Sequence, residues 1–218
     1  WRRFPHDLDV GAATPAYRLT PETPFPGPVE ACYATWLWMA EDAGSLGIVP
    51  SRIALTGESA GGGLAAALAL MTRDLKGPRP IFQDLVYPML DDRTVNGQAD
   101  ASPVGGEFVW TRASNTYAWE VLLSPELPGS PDISPYAAPA RATDLTNLPP
   151  AYISTGALDL FLDENLIYAQ RLIHSGLSVE LDLFPGTYHA FDVQPEPPVA
   201  QRPRQRRLGV LNRPSSLP

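Results

Sequence analysis

Arg52-Ile53-Ala54-Leu55-Thr56-Gly57-Glu58-Ser59-Ala60-Gly61-Gly62-Gly63-Leu64-Ala65-Ala66-Ala67-Leu68-Ala69-Leu70-Met71 is the stretch on which the fold turns. Its opening, residues 52–56, is a short apolar run of the length of a strand buried on both faces. Its close, residues 62–71, is rich in Ala and Leu, as a buried helix is. Between them Gly57-Glu58-Ser59-Ala60-Gly61 has the form G-x-S-x-G. The reading is strand, sharp turn, helix. In such a turn the serine occupies strained backbone that lifts its Oγ clear of the sheet, and Gly57 and Gly61 spare it side chains that would clash. The same bend aims the Ala60 N–H, and the positive end of the helix, at the site. The pattern alone is weak, because short motifs with two free positions arise by chance. The strand before it and the helix after it give it weight.

Working outward, residues 81–88, 151–155 and 179–184 read as further strands. Residues 29–43 read as a helix, with Ala31, Cys32, Thr35, Trp36, Met39 and Ala40 recurring at three and four. Residues 163–175 read as an amphipathic helix with Leu166, Ala169, Leu172 and Ile173 on one face, closed by Gly176. Strands alternating with helices give an α/β fold, a mostly parallel sheet flanked by helices. Residues 91–139 carry Gly, Pro, Asp and Ser around one helical stretch, 110–123, and read as a small cap insertion over the sheet. The catalytic domain is expected over 1–193. Residues 194–218 hold Pro195, Pro197, Pro198, Pro203 and Pro214 among five arginines. Interior prolines cost a helix about 3 kcal/mol each, so this tail is expected to be disordered.

The net charge of −8 understates the body's acidity, because the tail's five Arg face a single Glu. An acidic body argues against nucleic-acid or anionic-membrane partners. No apolar run approaches the roughly 18–20 residues of a membrane span. Cys32 is the only cysteine, which excludes a disulfide framework and a multi-cysteine metal site. It lies in a helical apolar pattern and reads as core packing. A reducing compartment fits, with a cytoplasmic location favoured.

A serine hydroxyl needs a base near neutral pH. Of the three histidines, His6 lies in an unpatterned stretch, and His174 falls in a helix's last turn, where it suits the dipole. His189 follows a strand in Pro185-Gly186-Thr187-Tyr188-His189-Ala190-Phe191, a loop suited to a catalytic base. The orienting acid is sought between Ser and His in chain order. Asp159 sits at the carboxyl end of the third strand in an apolar setting. It is favoured over Asp163 and Glu164, which fall in the next helix's first turn, where capping and dipole pairing account for them.

These segments together resemble the hormone-sensitive-lipase branch of the α/β-hydrolase superfamily, its bacterial carboxylesterases in particular. Tyr17-Arg18-Leu19-Thr20-Pro21-Glu22 resembles the family's YRLAPE, and residues 57–64 resemble its GDSAGG segment with Glu58 for the commoner Asp. Tyr87-Pro88 closes the strand as in the family. Asp159-Leu160-Phe161-Leu162-Asp163-Glu164 resembles DPLxDE, whose first Asp is the acid, and His189-Ala190-Phe191 resembles HGF or HAF. The resemblance implies an α/β-hydrolase fold and a serine ester hydrolase for short-to-medium acyl esters, with Ser59 as nucleophile, His189 as base, Asp159 as acid and Ala60 as an oxyanion donor. It implies a small-molecule ester as partner, no metal, no organic cofactor, and a possible homodimer, for which residues 179–184 would offer an edge strand. The family also carries an HGGG loop upstream of YRLAPE that makes most of the oxyanion hole. The residues before Tyr17 contain none, and the chain opens on Trp1. The first strands and that loop are expected to be missing, both ends being truncated or scrambled. Alternatives stay open: a small-molecule binding protein on the same fold, as in the plant gibberellin receptors, which lack the histidine that this chain keeps; an inactive fragment; or an amidase or acyltransferase on the same three residues.

Overall fold

The computed structural model describes residues 10–96, 104–193 and 198–211; His6 therefore lies outside the described residues. Among the described residues four strands run parallel in the order β1-β2-β3-β4: β1 Leu55–Glu58, β2 Gln83–Val86, β3 Ala151–Gly156 and β4 Val179–Phe184. Parallel neighbours need crossovers, and helices supply them. The helices are α1 Gly27–Glu41, α2 Ala43–Leu46, α3 Ala60–Asp74, α4 Arg112–Leu123, α5 Leu162–His174 and α6 Pro198–Leu211. The first strand differs from its expected bounds of 52–56. Its limits follow its ladder to β2, Leu55 to Gln83 through Glu58 to Val86, and not the apolar run. Residues 50–52 instead form a 3-10 turn.

One apolar core joins Cys32 and Trp36 of α1, Ala66 and Leu70 of α3, Leu85 and Ile153 of the sheet, and Tyr168, Ala169 and Leu172 of α5. Cys32 is packed there as expected, and burial pushes its thiol up to about 11. On α5 the buried stripe is Glu164, Asn165, Tyr168, Ala169 and Leu172. Ile173, expected on that face, is exposed, because the true stripe is set one residue back toward the N-terminus. A second cluster, Met89, Trp119, Leu123, Ile133, Ala138 and Phe161, seats α4 and its flanking loops against the start of α5. Buried Asp92 ties the loops around α4 together, accepting two bonds from Arg141, Nε at 2.7 Å and Nη2 at 2.8 Å, and one from the Gly129 N–H at 2.6 Å.

The expected disorder of residues 194–218 is corrected over Pro198–Leu211, which form α6. Pro198 opens that helix, where its missing N–H is no loss, so Pro203 is the interior proline to be offset. The offset lies on the sheet. Registered pairing puts Thr56, Asp84, Tyr152 and Glu180 in one cross-strand row, and Glu58, Val86, Ser154 and Asp182 in the row two residues on, on the same face. That face is acidic, and α6 meets it with arginines. Arg207 donates from Nε to Asp84 Oδ2 at 2.6 Å, from Nη1 to Glu58 Oε1 at 2.7 Å and from Nη2 to Thr56 Oγ1 at 2.8 Å. Arg206 pairs with Glu180 at 3.0 Å and Asp182 at 3.1 Å. β4 forms one edge of the described sheet.

Candidate active site

Ser59 stands between β1 and α3 with φ 55° and ψ −124°, a conformation that costs a non-glycine residue about 1–3 kcal/mol. Its backbone is held on three sides. The Ser59 N–H donates to Val86 O at 2.9 Å, and its carbonyl accepts from Gly63 at 3.1 Å and Met89 at 3.0 Å. The approach is close enough that a Cβ on Gly57 would lie 2.0 Å from Gly61 O, and one on Gly63 would lie 2.2 Å from Met89 O. Gly61 is different: a Cβ there meets nothing within 4 Å. The steric role expected of Gly61 thus belongs to Gly63, where α3 passes over the chain leaving β2. Ala60 is the first residue of α3, so its N–H has no acceptor within the helix.

Asp159 lies in the turn after β3, buried, with its N–H donating to Gly156 O at 3.2 Å. Its Oδ1 accepts from the Phe161 N–H at 2.9 Å, which fixes the carboxylate plane. His189 lies in the loop after β4 and is also buried. The two loops are tied to each other by Leu158 N–H to Thr187 O at 2.8 Å, and the second is braced by Thr187 Oγ1 to Phe184 O at 2.8 Å.

The structure brings these three distant side chains into one row. Ser59 Oγ is 2.8 Å from His189 Nε2, and His189 Nδ1 is 2.9 Å from Asp159 Oδ2. An ionised carboxylate only accepts, so Nδ1 carries the proton and Nε2 accepts from the hydroxyl. Three aromatic rings box the imidazole: Tyr87 at 4.7 Å between centroids, Phe161 at 5.2 Å and Trp110 at 6.0 Å. Trp110 lies just before α4, and its indole N–H donates to Asn115 Oδ1 at 3.2 Å. Sequence reasoning missed Phe161 and Trp110 as neighbours of the histidine. Period and motif carry no signal for them.

Asp163 and His174 stay apart from this row, at the two ends of α5. Glu164 corrects its expected role in dipole pairing. It is buried on α5, where its Oε1 accepts from the Leu90 N–H at 2.7 Å and its Oε2 meets the Thr94 hydroxyl. Burial raises its carboxyl well above the ordinary value, against the opposing pull of those two bonds. Asn165 beside it donates to Pro88 O at 2.7 Å. Together they fasten the chain leaving β2, which also bonds Ser59. Among the described residues no group of three or more His, Cys, Asp or Glu is placed to hold a metal ion, and no helix is long and apolar enough to cross a membrane.

Comparison with known proteins agrees with this fold. A family described as the alpha/beta hydrolase fold matches residues 1–193. Carboxylesterase NlhH of Mycobacterium tuberculosis is 36% identical over 185 residues, covering 80% of this chain and 54% of that protein. Esterase LipI of the same organism is 37% identical over 169 residues, covering 76% of this chain and 50% of that one. The chain thus spans about half the length of these curated relatives. Among solved structures, a bacterial heroin esterase superposes with a TM-score of 0.82 at 45% identity, over 90% of this chain and 62% of that one. An esterase from the archaeon Pyrobaculum calidifontis superposes at 0.84 with 29% identity, over 97% of this chain and 67% of that one. The chain belongs to the α/β-hydrolase fold family, in the hormone-sensitive-lipase-like branch that holds bacterial carboxylesterases.

Proposed function

We propose that this chain is the Ser-His-Asp portion of a carboxylic-ester hydrolase, with Ser59 as nucleophile, His189 as general base and Asp159 as orienting acid. The observation that carries the reading is the unbroken row from Ser59 Oγ through the imidazole to Asp159, at 2.8 and 2.9 Å. As Ser59 Oγ attacks the ester carbonyl carbon, its proton passes to His189 Nε2. Asp159 holds the tautomer and stabilises the imidazolium that forms. The carbonyl oxygen becomes an oxyanion, and the Ala60 N–H at the head of α3 faces it as one donor. Collapse expels the alcohol, which takes the proton from Nε2, and leaves an acyl-serine. Water then repeats the sequence, giving its proton to Nε2 and releasing the acid.

The substrates proposed are small esters with short-to-medium acyl chains. The cap insertion narrows the space beside the imidazole through Trp110, and half-exposed Phe108 lies 5.7 Å from Tyr188, the residue before His189. Such walls favour compact, apolar groups over long flexible ones. The test is hydrolysis of p-nitrophenyl butyrate and labelling by a fluorophosphonate probe, each compared with Ser59→Ala. The wild-type chain is expected to turn over the ester and to label, and the variant to do neither. Labelling that persists in Ser59→Ala would reject this serine.

A further inference from the structure

Tyr87 follows β2 directly and has φ 36°, a left-handed backbone that an aromatic residue adopts only when held there. Its N–H donates to Ser154 O at 2.6 Å, continuing the ladder to β3. The side chain then crosses to the loop after β4 and meets it twice. Its ring stands at 61° to the imidazole of His189, centroids 4.7 Å apart. Its hydroxyl donates to Asp192 Oδ1 at 2.7 Å. Phe191, between those two contact points, packs on the Tyr87 ring at 6.0 Å and on Phe184 at 5.5 Å. The loop needs such a hold, because Ala190, next to the imidazole, has φ 59°.

We propose that Tyr87 is a positioning residue for His189, its hydroxyl bond to Asp192 fixing the loop that presents the imidazole to Ser59. The proposal rests on the role given to His189 above. Packing alone would centre the ring but leave the loop free to slide along it. The hydroxyl adds a directional, charge-assisted bond three residues beyond the imidazole. Burial, and then the negative charge of Asp192, raise the phenol far above its ordinary value, so it remains a donor at every pH at which an esterase is assayed. The imidazole has to sit 2.8 Å from Ser59 Oγ to take its proton, and misplacement on the ångström scale costs about 10²-fold in rate.

The test compares Tyr87→Phe, Asp192→Ala and Asp192→Asn in the full chain, reading kcat and KM with p-nitrophenyl butyrate and the rate of fluorophosphonate labelling of Ser59. Tyr87→Phe keeps the ring and loses the bond, and Asp192→Ala loses the same bond from the other side. Each is expected to lower kcat about tenfold with KM unchanged, and the double variant to lose no more than either alone. Asp192→Asn keeps an acceptor oxygen and is expected to stay within about twofold of wild type. Tyr87→Phe at wild-type kcat would overturn the proposal, as would losses that multiply in the double variant. A wild-type chain that neither turns over nor labels would instead reject the ester-hydrolase reading. The positioning role is then read from the ring resonances of isotopically labelled histidine. Tyr87→Phe is expected to shift or broaden the His189 Nδ1 proton and to leave His174 unchanged; an unaltered His189 signal would refute it.

Discussion

Arg207→Ala removes a guanidinium whose side chain is 7% exposed and which bridges Asp84, 0% exposed, and Glu58, 25% exposed. What remains is a carboxylate sealed between β2 and α6 with its cation gone. Breaking a buried pair by deleting one partner costs about 3–5 kcal/mol. Glu58 adds little to that figure, because water reaches it once the arginine leaves. For a domain of this size each kcal/mol moves the melting temperature by about 2–4 °C, so the expected fall is on the order of 6–20 °C. Arg206 supplies the control on the same helix. Its side chain is 52% exposed, and its pairs with Glu180 and Asp182 are screened surface pairs that add little stability. Thermal melts by circular dichroism of Arg207→Ala, Arg206→Ala and the double variant Arg207→Met with Asp84→Asn decide the matter. The double variant is expected to recover much of the loss, since replacing both partners of a buried pair leaves no orphaned charge. Equal, small shifts for Arg206→Ala and Arg207→Ala would refute the docking of α6 on the acidic face.

Asp159→Asn is expected to lower kcat about 10⁴-fold while leaving the melting temperature nearly unchanged, because the amide disturbs the histidine tautomer more than the packing; steady-state assays and melts check both. Gly61→Ala is expected to be folded and about 0.5–1 kcal/mol more stable in urea unfolding, since it adds a helix former where nothing lies within 4 Å, whereas Gly57→Ala, with its Cβ 2.0 Å from Gly61 O, is expected to give no folded protein. Glu164 binds a proton in the fold that the unfolded chain releases near pH 4.5, so wild-type stability is expected to fall as pH rises from there through the raised native value. Glu164→Gln is expected to abolish that slope in melts across the range, and a slope that persists in the variant would assign it to another group.

The elbow was legible because its signal is local: five residues and two flanking apolar runs mark where the chain turns at Ser59. Asp159 and His189 were legible for a similar reason, each being a chemically competent residue just past the carboxyl end of a strand. α6 was not legible. Reading its prolines one at a time prices the helix and leaves its partner out, and that partner is an acidic face assembled from three strands. A signal for it exists in Asp84, a lone carboxylate within the apolar strand stretch at 81–88. A buried carboxylate in a parallel strand requires a cation, and the tail holds arginines. Glu164 was misread for the opposite reason. Its position in the first turn of α5 offers a sufficient local role, while its actual partner, the Leu90 N–H, is 74 residues away.

Among the described residues, three of the six non-glycine residues with positive φ lie at the site. Ser59, Tyr87 and Ala190 all have positive φ, at 55°, 36° and 59°, and each borders the imidazole of His189 in chain or in space. At about 1–3 kcal/mol apiece, such residues persist only where surrounding structure overdetermines them. The bonds that hold the first two come from neighbouring strands and the chain that leaves them: Ser59 is held by Val86 O and the Met89 N–H, and Tyr87 by Ser154 O and Asp192. The raised hydroxyl is therefore a property of β1, β2 and β3 in register and not of the five-residue motif. Single residues that key that register, Gly57 under the elbow and Asp84 under α6, consequently bear on the alignment of Ser59 with His189 as much as on stability. Ser59 Oγ and the His189 imidazole are aligned by the same contacts that assemble the sheet.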